Sequence, residues 1–518
     1  MAEWPALMVA PDMFRQTTNL NGRRWSGSAL LEAWAQFLGD RDLHLACADP
    51  QYPAQLADVL DQAGHRGQRH VHGLLHPDPL KPIGGLFMPD PNLGRWSRWR
   101  ERCGSQHFSL IGQIHTLNTS SAVGMMESLV TEPVQPWDAV ICSSPAGRDV
   151  VNAILDDRET WMQRRFGPHQ PPARPQLPVI PLPVAVNALI EALPKRNEAR
   201  KQLGLPLQAA VCLWLGRLSL FSKQDPWAQY RVLEAVARHL PQELWLVECG
   251  PDDSEPQRDH LAQLRSLCPS VRFLRLGGSE AVPEAVKYQA LAAADVAISL
   301  VDNCQETFGL SLVEAMAAGL PMLVSDWDGY RSLVRHGVDG FLVPSRWLAH
   351  AELASEGLAW AQEIGLQSYP GIAGALAQLV ALDTTAAEAM LLSLIQDPTM
   401  AQAMGRQGRQ QMQKCCEVQQ VMGRYDALFA DLSERRAKAR KEGHPPAAPI
   451  GLNPVRLFRH YASLQTPRDA IPTPSTDLNS LHIVVQQGRR PLWHEVLRAC
   501  QDDAARVRLR QALPEKHL

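Results

Sequence analysis

The sequence predicts an α/β protein built from two doubly wound, Rossmann-like domains, and three observations lead to this prediction. Short apolar runs rich in Val, Ile and Leu recur along the chain, as is typical of buried parallel strands. Polar or glycine-bearing loops follow these runs, and helices with one apolar side follow the loops. The length of 518 residues is enough for two domains and additional segments.

The first domain is predicted to cover residues 1–195. Its expected strands are at 6–10, 43–48, 83–88, 108–115 and 137–143, and its expected helices at 28–38, 53–62 and 147–155. Gly22 lies in the first loop, where a glycine-bearing turn before a helix forms an anion site; Arg23 and Arg24 are either phosphate contacts or plain surface charge. His115 ends a strand and is placed to face a cleft, although a structural role is an alternative. The basic, proline-rich residues 156–177 are predicted to form a loop.

The second domain is predicted to cover residues 196–435. It opens with an apolar strand at 209–215, followed by Gly216, Arg217 and, in the next loop, Lys223. Arginine offers a bidentate fork and lysine a point charge, so a glycine and two cations at the end of a strand suit a diphosphate. Taken alone, both cations are also compatible with ordinary surface charges.

The segment Asp295–Pro344 carries the most informative pattern and is predicted to alternate strand, loop and helix. Phe308, Gly309 and Leu310 place free backbone N–H groups at a helix N-terminus, which binds anions well. Glu306 lies just before this site. Glu314 is about two turns into the helix, where a carboxylate facing the cleft can accept hydrogen bonds from two sugar hydroxyls. The alternative is that both are ordinary solvated acids.

Glu306 and Glu314, with Phe308-Gly309 between them and Ala315-Met316-Ala317-Ala318-Gly319 after them, resemble the E-x7-E signature of the retaining family-4 (group 1) glycosyltransferases. This resemblance implies the GT-B fold, in which two Rossmann-like domains face a cleft, here with a C-terminal extension. It implies that Gly216, Arg217, Lys223, Phe308, Gly309, Leu310 and Gly22 bind the donor diphosphate. It also implies that Glu314 holds the ribose and that Glu306 and His115 act at the donor sugar.

The implied activity is transfer of a hexosyl group from a nucleotide sugar to a glycan, a lipid-linked sugar or a metabolite, with retention of configuration. The scheme requires no metal ion and no cofactor beyond the nucleotide-sugar donor, and uridine, guanosine and adenosine donors stay open. One alternative is a non-catalytic GT-B protein that binds nucleotide sugars or serves as a scaffold. Another is a phosphorylase, which shares the GT-B architecture.

Four further segments lie outside this pattern. Residues 345–382 are predicted to be a partly helical insertion, and a helix at 418–432 is the candidate to return to the first domain. The basic run 435–441 is interpreted as a solvated helix end, with contact to phosphate or acidic lipid as the alternative. Residues 436–518 form a linker and an extension of unknown role, with a strand at 481–485 and a helix at 492–500.

Composition sets the remaining expectations. The net charge of −3 gives no reason to propose a nucleic-acid partner. The 10 cysteines contain no C-x-x-C pair, and Cys142, Cys212 and Cys249 lie in apolar runs, so buried thiols in a reducing cytoplasm are predicted. No signal peptide and no membrane-spanning run is visible. We therefore expect a cytoplasmic protein, with peripheral contact at the inner membrane face left open.

Overall fold

The computed structural model describes residues 4–9, 22–48, 52–117, 119–252, 254–442 and 457–461. The chain divides into two compact units, Met1–Pro449 and Ile450–Leu518, and both predicted domains belong to the first unit. In the second unit the described residues include one 3-10 turn, Arg459–Tyr461. The strand and helix predicted at 481–485 and 492–500 lie outside the described residues.

The first sheet is parallel and has six strands. They are β1 (Ala6–Val9), β2 (Leu43–Cys47), β3 (Arg69–Gly73), β4 (Gly85–Phe87), β5 (Ser109–Gln113) and β6 (Ala139–Ile141). The helices between them are α1 (Gly22–Leu38), α2 (Tyr52–Gln62), α3 (Leu93–Arg100) and α4 (Ser120–Thr131), and α5 (Pro145–Phe166) follows β6. The strand order β3-β2-β1-β4-β5-β6 reverses direction between β1 and β4, which makes this a doubly wound sheet.

The second sheet follows two short helices, α6 (Val186–Ala192) and α7 (Arg196–Gln202). Its strands are β7 (Ala210–Leu215), β8 (Leu244–Cys249), β9 (Val271–Leu276), β10 (Val296–Ser299), β11 (Met322–Ser325) and β12 (Gly340–Val343). Its connecting helices are α8 (Trp227–Ala237), α9 (Glu255–Ser266), α10 (Glu284–Ala293), α11 (Leu310–Ala317) and α12 (Tyr330–Leu333). The order β12-β11-β10-β7-β8-β9 repeats the pattern of the first sheet, with its switch point between β7 and β10. The predicted GT-B architecture of two Rossmann-like sheets is confirmed.

The chain then adds a small excursion and three helices. Residues 345–382 contain β13 (Ser345–Trp347), α13 (Ala351–Glu363), α14 (Tyr369–Ala377) and β14 (Val380–Leu382), with β13 and β14 antiparallel. The helices are α15 (Thr384–Gln396), α16 (Pro398–Cys415) and α17 (Val418–Glu442). No helix in the described ranges has the length and hydropathy needed to cross a lipid bilayer.

Helix α17 returns to the first domain, as the sequence predicts for residues 418–432. Its Tyr425 and Phe429 are buried in one apolar cluster with Trp4 and Trp34 of the first domain. The indole N–H of Trp4 donates to Asp426 at 2.7 Å, which fixes the register of the helix. Burial of these aromatic side chains stabilises the packing of α17 against the first domain.

The structure corrects four local predictions. Residues 156–166 were expected to be a loop but continue α5, because the prolines begin only after Phe166. Strand β3 was not predicted, because its sequence Arg-His-Val-His-Gly is not an apolar run and none of its residues is buried. Gly22 begins α1 instead of lying in a loop, so the predicted helix start at 28 is wrong.

The fourth correction concerns the basic run 435–441, which was interpreted as a solvated helix end. Arg436 is buried and donates to Ser109 Oγ at 2.6 Å. Arg440 donates to the carbonyl oxygen of Gln106 at 2.7 Å. The run therefore attaches the last turns of α17 to the first domain. The prediction of buried thiols at Cys142, Cys212 and Cys249 is confirmed.

Candidate active site

The predicted diphosphate contacts lie at the switch point of the second sheet, where β7 and β10 are neighbours. Ligands of doubly wound sheets bind outside the carboxyl ends of strands at this point. Gly216 follows β7 with a φ of 130°, and a Cβ on Gly250 after β8 would lie 1.8 Å from the carbonyl oxygen of Gly216. The backbones that follow β7 and β8 are thus in close contact, and the half-buried Arg217 comes directly after Gly216 at the rim of the sheet.

Lys223 and Glu306 form an ion pair across this rim. Their Nζ and Oε2 atoms are 2.9 Å apart, and their side chains are 29% and 15% exposed. Burial works against the ionised form of Glu306, but the charge of Lys223 and hydrogen bonds from Lys223, Phe308 N–H and Gly309 N–H outweigh it, so the pKa of Glu306 lies below its usual value. Lys223 and Glu306, which the sequence assigned to phosphate and to sugar, are therefore in direct contact.

The helix N-terminus predicted to bind an anion is present. Gly309 caps α11 with a φ of 104°, a left-handed conformation that favours glycine. A Cβ at this position would also meet the Tyr330 ring at 2.7 Å, so both backbone and space require glycine. Phe308 is buried beside it, and Leu310 is the first helical residue. The N–H groups of Phe308 and Gly309 act on the Glu306 carboxylate, an acceptor of the same charge type as phosphate.

Glu314 is buried in the middle of α11 and has a partner that the sequence analysis missed. Lys287 Nζ on α10 lies 2.7 Å from Glu314 Oε1, and the two side chains are 16% and 10% exposed. Burial would lower the pKa of Lys287, but the Glu314 charge and hydrogen bond raise it. The sequence contains no pattern that predicts the pairing of Lys287 with Glu314, which are 27 residues apart on two different helices.

Two further carboxyl groups near Glu306 were not assigned from sequence. Burial raises the pKa of Asp328 to about 8, and the nearby Glu306 charge adds to this shift. Asp328 also has a φ of 44°, which is unusual for a residue other than glycine. Burial likewise raises the pKa of Asp302 to about 8, and its carboxylate accepts the backbone N–H of Asp225 at 3.2 Å. This contact holds the loop that carries Lys223.

His115 contacts the second domain through its backbone, whereas its ring contacts the first domain. Its Nε2 lies 2.6 Å from the carbonyl oxygen of Pro89, and its own carbonyl accepts a hydrogen bond from Thr307 Oγ1. Ser143 Oγ of the first domain donates to the carbonyl oxygen of Thr307 at 3.3 Å. Because Thr307 directly follows Glu306, the first domain contacts the loop that carries the predicted sugar-side carboxylate.

The excursion at 345–382 lies beside the same loops. Gln378 Nε2 donates to Asp225 Oδ2 at 3.0 Å, two residues after Lys223. Tyr369 OH lies 3.4 Å from Thr116 Oγ1, next to His115. The excursion thus connects the Lys223 loop of the second domain with the strand end of the first domain.

Comparisons with known proteins agree with this geometry. Residues 195–362 match the family model described as "Glycosyl transferases group 1". Residues 195–362 are therefore a group 1 glycosyltransferase domain. The matched range contains Arg217, Lys223, Glu306 and Glu314, and the predicted family is thereby confirmed.

Curated relatives of this glycosyltransferase domain share about half of the chain. A D-inositol 3-phosphate glycosyltransferase of Thermobispora bispora is 29% identical over 255 residues, which are 47% of this chain and 57% of that protein. A phosphatidyl-myo-inositol mannosyltransferase of Mycobacterium leprae is 27% identical over 263 residues, 50% of this chain and 60% of that protein. The chain therefore spans less than two thirds of the length of these relatives.

A solved structure shares the fold over most of the chain. It is the crystal structure of a glycosyltransferase from Rickettsia africae, which has a TM-score of 0.51 and 12% sequence identity. The similarity covers 83% of this chain and 98% of the other. At this identity it supports the common architecture of both domains and nothing finer.

Proposed function

We propose that the protein transfers a hexosyl group from a nucleoside diphosphate sugar to an acceptor hydroxyl. The observation that supports the proposal is the contact of Lys223 with Glu306 at the α11 N-terminus, beside the switch point of the second sheet, where β7 ends just before Arg217. Two cations and a helix N-terminus offer positive charge and N–H donors to a diphosphate. A carboxylate, Glu306, lies among them and is available to sugar hydroxyls once phosphate replaces it at Lys223.

The proposed chemistry follows from these positions. Arg217, Lys223 and the N–H groups of Phe308 and Gly309 stabilise the negative charge that develops on the leaving diphosphate. Glu306, with His115 on the opposite domain, contacts the donor sugar, and Glu314 holds the ribose. We further propose that configuration is retained and that neither a metal ion nor another cofactor takes part, since protein cations meet the diphosphate charge.

The acceptor and the location of the enzyme are proposed only in outline. The named relatives act on inositol-containing acceptors or are named for them, and an acceptor bearing sugar-like hydroxyls is proposed for this chain by analogy. A cytoplasmic location, with access to acceptors at the membrane surface, remains the expectation from the sequence.

A thermal-shift panel tests the proposal, using UDP, GDP, ADP and their glucose, galactose, mannose and N-acetylglucosamine conjugates. A ligand at 100 times its dissociation constant should add about 2.7 kcal/mol of stability. Arg217→Ala should abolish the shift and cost about 2 to 4 kcal/mol of transition-state stabilisation in kcat/KM. Arg435→Ala, which removes an exposed arginine on α17, is the matched control.

Two results would contradict the proposal. A flat panel at millimolar ligand, with the protein shown to be folded, would favour a non-catalytic scaffold. Turnover near the wild-type value in Arg217→Ala at saturating donor would remove Arg217 from the assigned site.

A further inference from the structure

Lys287 and Glu314 meet beside the switch point of the second sheet. Lys287 lies in the first turns of α10, and Glu314 lies in α11, the helix whose N-terminus forms the anion site. Both charges act on Cys249, the last residue of β8, which places the pair at the carboxyl edge of the sheet. The pair is thus at the edge where a nucleotide would bind.

The contact uses only one side of the Glu314 carboxylate. Lys287 Nζ is 2.7 Å from Oε1. Within the described part of the chain, Oε2 of Glu314 has no hydrogen-bond partner. This oxygen also keeps some exposure to solvent. One oxygen is therefore held by a cation, and the other remains available to a ligand.

A carboxylate at the middle of a packed helix needs such a partner. Glutamate has three rotatable side-chain bonds, so its carboxylate takes one orientation only when something holds it. An ionised carboxylate that is mostly removed from water is also unfavourable without a nearby cation. Lys287 meets both requirements, and its other close neighbours of note are Glu284 and the Tyr288 ring.

We infer that Lys287 is a positioning residue that holds Glu314 in the orientation in which it accepts hydrogen bonds from the ribose hydroxyls of the donor. The inference rests on the proposed function and adds a residue to it. Precise placement of a charged acceptor is what makes recognition of a hydroxyl selective. Lys287 therefore sets the preference for ribonucleotides over 2′-deoxyribonucleotides, although it is not assigned a contact with the sugar itself.

The test measures dissociation constants by calorimetry for UDP, GDP and ADP and for the 2′-deoxy form of each. The proteins are the wild type, Lys287→Met, Lys287→Arg and Glu314→Gln, with Lys414→Met as a control for loss of an exposed lysine on α16. For the nucleotide that binds, the wild type should prefer the ribo form by about 10- to 100-fold, the range of a hydrogen bond to a charged group.

Lys287→Met should reduce this preference to less than about threefold by weakening the ribo form and leaving the 2′-deoxy form nearly unchanged. Lys287→Arg should restore most of the preference, and Lys414→Met should leave it intact. A merely structural ion pair would lower the melting temperature and weaken both forms equally.

The outcomes distinguish failure of the role of Lys287 from failure of the proposed function. Full ribose preference in folded Lys287→Met, or no preference in a wild type that binds nucleotide, overturns the role of Lys287 and leaves the proposed function standing. Failure of the wild type to bind any of the nucleoside diphosphates overturns both.

Discussion

Substitution of Glu306 by glutamine should strengthen binding of the bare nucleoside diphosphate while it abolishes transfer. The Glu306 carboxylate lies 2.9 Å from Lys223 Nζ, so a diphosphate that binds Lys223 must displace this carboxylate. Two unit charges at this distance attract by about 6 kcal/mol at an effective dielectric constant of 20. Partial exposure and reorganisation reduce the net value to about 1 to 2 kcal/mol. Glutamine keeps the shape but removes the charge.

The expected gain is about 5- to 30-fold in the dissociation constant of the nucleoside diphosphate, measured by calorimetry. The gain should shrink at high salt because it is electrostatic. Turnover with the nucleotide sugar should fall by about 100-fold or more, since the proposed sugar contact is lost. Glu356→Gln, an exposed glutamate on α13, is the control and should change neither quantity. Weaker diphosphate binding in Glu306→Gln would refute the competition described here.

Two further predictions concern stability. Arg100 and Asp138 form an ion pair with both side chains fully buried, so Arg100→Met should lower the free energy of unfolding, measured in urea, by about 3 to 5 kcal/mol. The control is Arg98→Met, which removes the half-exposed partner of Glu132 and should cost less than about 1 kcal/mol. A small loss in Arg100→Met would contradict the desolvation argument. Burial raises the pKa of Asp302 to about 8, whereas an unfolded aspartate titrates near pH 4, so the folded state binds more protons and unfolding free energy falls as pH rises from about 4 to 8. Since four pKa units correspond to about 5 kcal/mol, Asp302→Asn should be more stable than the wild type by about 5 kcal/mol at pH 8 and nearly equal to it at pH 4; parallel pH profiles would exclude this assignment.

The sequence by itself determined the strands of both sheet centres and the anion site at the start of α11. These features are local. A buried strand is a continuous apolar run, and a helix start capped by glycine is specified by neighbouring residues. The E-x7-E spacing also placed Glu306 and Glu314 correctly on either side of that start. For the same reason the prediction was wrong where local patterns mislead, as in the basic residues 156–166, which continue a helix.

Only the tertiary structure decided which charges meet. Lys223 pairs with Glu306 and Lys287 with Glu314 because the strand order makes β7 and β10 neighbours and brings α10 and α11 to one edge. The attachment of α17 to the first domain likewise depends on burial across more than 400 residues of chain, as in the contact between Trp4 and Asp426. An ion pair or an aromatic contact between elements far apart in the chain depends on distance in space, which their spacing along the chain does not encode.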